Sequence, residues 1–215
     1  ATTWGAFIAV NTYLPMWAQA LLGMSALMGG MTLIPNSIVE IIASQTVATI
    51  QEKIRTFTLV MIGIVTMMIS SGGLFLANNQ TPLWMLIVVG AFSGIGVGFI
   101  FVGLQVKVQI DAGMKDMATA TSTSYLIRIL AQTVMAAVYG VIMNLALASG
   151  INSHSNITMK MMNELSDAKS AKLLPQYLLP EMRRIFHSGI HEIMAVSFIL
   201  LIIATVFNFY FNFRQ

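Results

Sequence analysis

Six stretches of this sequence, residues 2–22, 27–50, 57–77, 83–106, 117–148 and 192–213, each reach the ~20 apolar residues an α-helix needs to cross a hydrocarbon core of ~30 Å. A bilayer offers the backbone no water, so such stretches have to be helices that satisfy their own N–H and C=O groups. Hydrophobic residues make up 57% of the chain and charged residues 9%, against ~25% charged in a soluble domain. That balance excludes a soluble globular fold. The expected fold is all-α and integral to the membrane, a six-transmembrane-helix bundle forming a single unit over residues 1–215.

The connections after the first four stretches are short, which forces antiparallel neighbours and one compact bundle. The exception is the loop 149–191, too polar to span. Within it, Pro180, Glu181 and the apolar residues Met182, Ile185, Phe186, Gly189 and Ile190 at helical spacing predict an amphipathic helix on the membrane surface. Lys53, Arg55, Lys107 and Lys115 fall in connections on one side, with Arg214, and the positive-inside rule makes that side cytoplasmic. The long loop carries Lys160, Lys169, Lys172, Arg183 and Arg184, but long polar stretches translocate more readily, so the short loops decide. The sequence opens at Ala1 on an already apolar segment, as expected of a fragment whose upstream part is cut away.

Several function classes drop out. With no cysteines there is no disulfide framework and no thiolate metal site. The net charge is only +3, and Lys and Arg form no stripe interleaved with aromatics, so nucleic acid is not a partner. His187 and His191 stand four apart beside Glu192, but with no third ligand a membrane-embedded metalloenzyme is only a remote alternative. No cofactor and no metal is expected, and the chain is read as a non-enzyme.

Polar residues inside apolar helices need a reason, and they mark the candidate site. Glu40 lies about ten residues from the inner end of the second stretch, ~15 Å deep, where an acidic side chain costs about 2.5–3.5 kcal/mol. Thr32, Asn36, Glu40 and Ser44 recur every fourth residue and share one helical stripe. A carboxyl there would take a proton from one side and lose it to the other, unless it is a structural buried group. Arg128, at similar depth in the fifth stretch, is its natural partner. Tyr125, Arg128 and Gln132 share a face, the pattern of a polar cavity wall rather than of a lone snorkelling arginine.

Asn11, Tyr13 and Trp17 in the first stretch combine aromatic faces with an amide, the mix that suits a flat, lipophilic ligand, although Trp17 and Gln19 also fit an interfacial belt. Asn36 and Gln105 join them as cavity candidates. Gly90, Gly94 and Gly98 strip one helix face of side chains, a pattern that lets a second helix approach closely.

The run Gly94-Ile-Gly96-Val-Gly98, with Gly103 and Gln105, is followed by Ala118-Thr-Ala-Thr-Ser, by Arg128-Ile-Leu-Ala-Gln132 and by Gly140-Val-Ile-Met. Together these resemble the late helices of EmrB/QacA-type multidrug efflux proteins, the fourteen-helix drug:proton antiporters of the major facilitator superfamily. Tyr13-Leu14-Pro15, Gln19, Leu22-Gly23 and Leu33-Ile34-Pro35 are similar to the start of that family's second half. The resemblance implies the C-terminal six-helix half of such a transporter, one half of a major facilitator fold made of two inverted three-helix repeats. The connection 48–55 lacks that family's glycine and aspartate pattern, and Glu40 stands where many members carry an apolar or small residue.

The resemblance further implies a proton-coupled membrane transporter for multidrug or lipophilic compound efflux. Its partners would be the lipid bilayer, protons, lipophilic small molecules and the missing N-terminal half, and its place a multi-pass position in a cell membrane, a bacterial plasma membrane being expected. Glu40 and Arg128 would be the proton-coupling residues. Asn11, Tyr13, Trp17, Asn36, Gln105, Tyr125 and Gln132 would line the substrate path. The alternative is a non-transporting, truncated membrane protein acting through interactions.

Overall fold

A computed structural model of the chain describes residues 1–79, 81–152, 156–166, 168–171 and 173–212. Lys172, Phe213 and Arg214, expected in the long loop, the last stretch and on the cytoplasmic side, lie outside them. Eight helices are described: α1 (Thr2–Ala20), α2 (Ala26–Met31), α3 (Leu33–Ile50), α4 (Thr56–Leu76), α5 (Leu83–Asn152), α6 (Met159–Leu165), α7 (Ala168–Ala171) and α8 (Leu179–Asn212). Among the described residues, four stretches are long and apolar enough to cross a membrane: Ala26–Ile50, Thr56–Leu76, Leu83–Asn152 and Leu179–Tyr210.

Prolines and glycines explain where these helices start, bend and stop. Gly23 adopts a left-handed φ of 69° after α1, and Ser25 then caps α2 by accepting from the Met28 N–H at 3.3 Å. Pro35 brings no N–H to bond the carbonyl one turn back, and the helix is interrupted at Thr32 between α2 and α3. There Thr32 donates its hydroxyl to the Gly29 carbonyl at 2.6 Å. The predicted stretch 27–50 is thus one crossing-length segment with a proline-induced joint.

A straight helix of 70 residues would reach about 105 Å. α5 does not run straight. Gly113 takes φ 67° and ψ 173°, a region essentially reserved for glycine, and the helix folds back on itself there. Gln109 donates to Thr121 across the bend at 3.3 Å, and farther along the rings of Phe101 and Tyr125 meet with centroids 6.1 Å apart. The predicted stretches 83–106 and 117–148 fall on the two limbs of this hairpin. Lys107 and Asp111, read as part of a loop, sit on the helical first limb and pair at 2.9 Å.

The loop predicted over 149–191 is partly helical, and one expectation about it is corrected. Residues from Leu179 onward belong to α8, which runs without interruption to Asn212. Met182, Ile185, Phe186 and Ile190 are buried in one cluster with Trp17, Leu21, Met162 and Leu165. The apolar face therefore packs into protein rather than onto a membrane surface, because α1, α6 and the far end of α5 offer it a better-matched apolar partner.

α1 lies inside the bundle against α5, α8 and α4, with Ala6, Ala9, Leu14 and Trp17 buried. Small hydroxyls tie these helices together, as is common where lipid supplies no hydrophobic drive between helices. Ser71 and Ser197 are 3.1 Å apart, and Ser197 donates to the Ala6 carbonyl at 3.2 Å. α3 packs chiefly on α5 and leaves Ile34, Ile38, Ile41 and Ile42 uncovered by protein.

Candidate functional site

The two stripes read from the sequence meet. A side chain added at Gly94 would collide with the backbone and side chain of Asn36, and one at Gly98 would come within 2.8 Å of the Glu40 carbonyl and 3.0 Å of the Ser44 N–H nitrogen. The bare face of the first limb of α5 thus receives the polar stripe of α3 at backbone contact distance. Gly90 faces Leu14 of α1. Gly96, between them, lies against Gly63 and Met67 of α4, so this limb is clasped on both sides.

Glu40, on α3, and Arg128, on the second limb of α5, are both half-buried. Neither residue has a hydrogen bond or ion pair within the chain among the described residues. Arg128 is compensated instead by rings. Its guanidinium carbon lies 4.6 Å from the centroid of Trp4, 4.9 Å from that of Phe101 and 4.3 Å from that of Tyr125, all within the ~6 Å over which a ring quadrupole attracts a cation. The rings hold one another edge to face, Trp4 to Phe101 at 6.1 Å and 79° and Phe101 to Tyr125 at 6.1 Å and 77°.

This three-ring box borders a cavity of about 450 Å³ between α1 and the two limbs of α5, within the ~300–1,000 Å³ of typical small-molecule sites. Ile100, Leu104, Val108 and Ile127 give it apolar walls, and Gln105 lines it as well. Gln105 Nε2 is buried with no hydrogen-bond partner, an amide donor left for an acceptor to claim.

Of the residues expected along a substrate path, Gln105 and Tyr125 line this cavity. Gln132 is half-buried one turn beyond Arg128, and Asn11 is half-buried on α1. Asn36 is buried against Gly94, its Oδ1 lacking a partner. Tyr13 and Trp17 belong to the apolar cluster with α8. Tyr13 meets the Tyr139 ring edge-on at 6.4 Å, and Trp17 meets His187 at 5.1 Å. Trp17 is thus fully buried within the chain. His187 Nε2 sits 2.9 Å from the Ala77 carbonyl, and His191 stacks on Phe75 at 4.4 Å.

Sequence reasoning missed Trp4 and Phe101. The available signal was their aromaticity in segments flanking an intramembrane arginine, but only the fold brings positions 4, 101 and 128 together.

Four helical stretches long and apolar enough to cross a membrane, with no strand among the described residues, define an all-helical, multi-pass membrane protein. No family model matches the chain, and no solved structure matches it. It is similar to multidrug resistance protein 3 of Bacillus subtilis, 28% identical over 69% of this chain and 29% of that protein. It is also similar to the MFS-type transporter ppz2 of Metarhizium majus, 33% identical over 54% of this chain and 20% of the relative. A third relative, the aspyridones efflux protein of Neocamarosporium betae, is 24% identical over 94% of this chain and 36% of its own length. The chain therefore spans about a third or less of the curated relatives it matches.

Proposed function

We propose that this chain is part of a proton-coupled exporter of lipophilic compounds, the C-terminal half of an EmrB/QacA-type antiporter. The observation that carries the reading is a guanidinium ringed by aromatic side chains in the wall of a ligand-sized cavity, with a half-buried carboxyl on the helix that packs against α5. The names of the relatives support it: a multidrug resistance protein, a transporter and an efflux protein.

In this reading the chain crosses a plasma membrane six times as two inverted three-helix repeats, residues 1–77 and 83–215, and a second half completes the transport path. Lys53, Arg55, Lys107 and Lys115 lie on the cytoplasmic side. A proton from outside neutralises Glu40 and weakens its hold on Arg128 or on a cationic substrate. The two halves then rock to the other access state, since a ligand or proton shifts the equilibrium only by its differential affinity for the two states.

The test is proton-gradient-driven extrusion of a fluorescent lipophilic cation from vesicles containing the chain together with the second half. Extrusion by the unaltered protein and its loss in Glu40→Gln is the expected result. Undiminished extrusion in Glu40→Gln removes Glu40 from coupling, and no extrusion of any lipophilic probe by the unaltered protein overturns the exporter reading.

A further inference from the structure

We infer that the box formed by Trp4, Phe101 and Tyr125 is an exchangeable cation site, that Arg128 is its resident plug, and that an incoming organic cation takes the guanidinium's place against the same three rings. The inference rests on the exporter reading and adds to it the place where ligand is held.

The argument starts from a mismatch between box and occupant. Guanidinium carries five N–H donors, and aromatic faces answer its charge while leaving those donors unanswered. Arg128 makes no hydrogen bond to the chain among the described residues, although all three rings lie within 4.9 Å of its guanidinium carbon. A cation with no N–H, such as a quaternary ammonium or a phosphonium, gains the same attraction from the rings and leaves no donor unmet. It is the better guest for these walls.

Two further features fit an exchange. The box opens on the cavity whose apolar walls, Ile100, Leu104, Val108 and Ile127, match the hydrocarbon body of such a cation. The displaced guanidinium also has somewhere to go. Glu40, half-buried on the helix that packs against α5, is an acidic group with no hydrogen bond or ion pair of its own within the chain among the described residues. The box is held in shape by edge-to-face contacts between its own rings, independently of the cation inside it.

The probe is tetraphenylphosphonium, titrated calorimetrically against purified protein containing the whole chain, alongside its neutral analogue triphenylphosphine oxide. Arg128→Met keeps the length of the side chain and empties the box of charge. It should tighten tetraphenylphosphonium binding by about tenfold, since a cation–ring attraction of this kind is worth on the order of 1–2 kcal/mol, and should leave the neutral analogue unmoved. Adding Tyr125→Leu or Trp4→Leu to Arg128→Met should abolish the gain. An affinity unchanged or weakened in Arg128→Met, in protein whose thermal unfolding matches the unaltered chain, overturns the inference. So does a gain that survives either ring replacement. Should Arg128→Met not fold, Tyr125→Leu and Phe101→Leu in the unaltered background must still weaken tetraphenylphosphonium binding more than binding of the neutral analogue, and equal effects on both refute the site. Extrusion measured on the same preparations separates the two readings. Binding exchange without proton-driven extrusion sinks the exporter reading alone, whereas extrusion with an affinity indifferent to Arg128 sinks the cation site alone.

Discussion

Tyr139, on the second limb of α5, donates its hydroxyl to the carbonyl of Gly5 in α1 at 2.9 Å, joining two positions 134 residues apart. Both partners are buried. The bond locks the second limb to the helix that carries Trp4, one residue away from the accepting carbonyl, and so helps to place one wall of the aromatic box.

Replacing Tyr139 by Phe should keep the ring packing and lose only this bond. Interhelical hydrogen bonds in membrane bundles average about 0.6 kcal/mol and reach about 1.7. A loss of that order is expected in the unfolding free energy measured by denaturant titration in detergent. Tyr139→Ala, which also leaves a cavity, should cost several times more.

Gly98 and Gly140 make an opposed pair. A Cβ at Gly98 would meet the Ala43 Cβ at 2.7 Å and backbone atoms of α3 at 2.8 and 3.0 Å, whereas at Gly140 nothing lies within 4 Å. Gly98→Ala must push α3 off α5 and should lower the thermal midpoint markedly. Gly140→Ala should raise stability slightly, by about 0.5–1 kcal/mol, through reduced backbone freedom in the unfolded chain. Equal midpoints for the two variants would contradict the close approach.

Gly113 should be intolerant of substitution for a different reason. No neighbour crowds it, yet its φ of 67° and ψ of 173° strain any side chain by about 1–3 kcal/mol. Gly113→Ala should therefore destabilise the hairpin of α5 despite the open space, read as earlier proteolytic nicking near residue 113 and a lower unfolding midpoint.

Trp17→Phe separates core from cavity. Trp17 is fully buried among α1, α5 and α8 residues, and its Nε1 has no hydrogen-bond partner, so the smaller ring forfeits volume but no bond. The variant should lose some stability while binding tetraphenylphosphonium with unchanged affinity. A selective loss of binding at constant stability would place Trp17 in the ligand path.

Much of the helix layout was legible because apolar length is a local property. Stretches such as 57–77 need only their own residues to declare themselves, and α4 occupies Thr56–Leu76. Breaks were less legible. Polarity at Lys107 and Asp111 reads as a loop, yet an i, i+4 ion pair on an exposed helix face is equally polar, and the turn itself falls at a single glycine. The site was half legible for the same reason. Glu40, Arg128, Tyr125 and Gln105 stand out as polar groups among apolar neighbours, while Trp4 and Phe101 are indistinguishable in sequence from rings facing lipid. Tyr13 and Trp17 stand out in the sequence by their amphipathic rings, and only the fold shows that α8 packs against them.

The 34 residues of α8 measure about 51 Å, well beyond the ~30 Å of a hydrocarbon core, and no proline follows its first turn. It is a stiff lever. A tilt of about 10° at one end displaces the other by about 9 Å, so a rocking motion either pivots at the apolar cap around Phe186 and Met182 or has to loosen it.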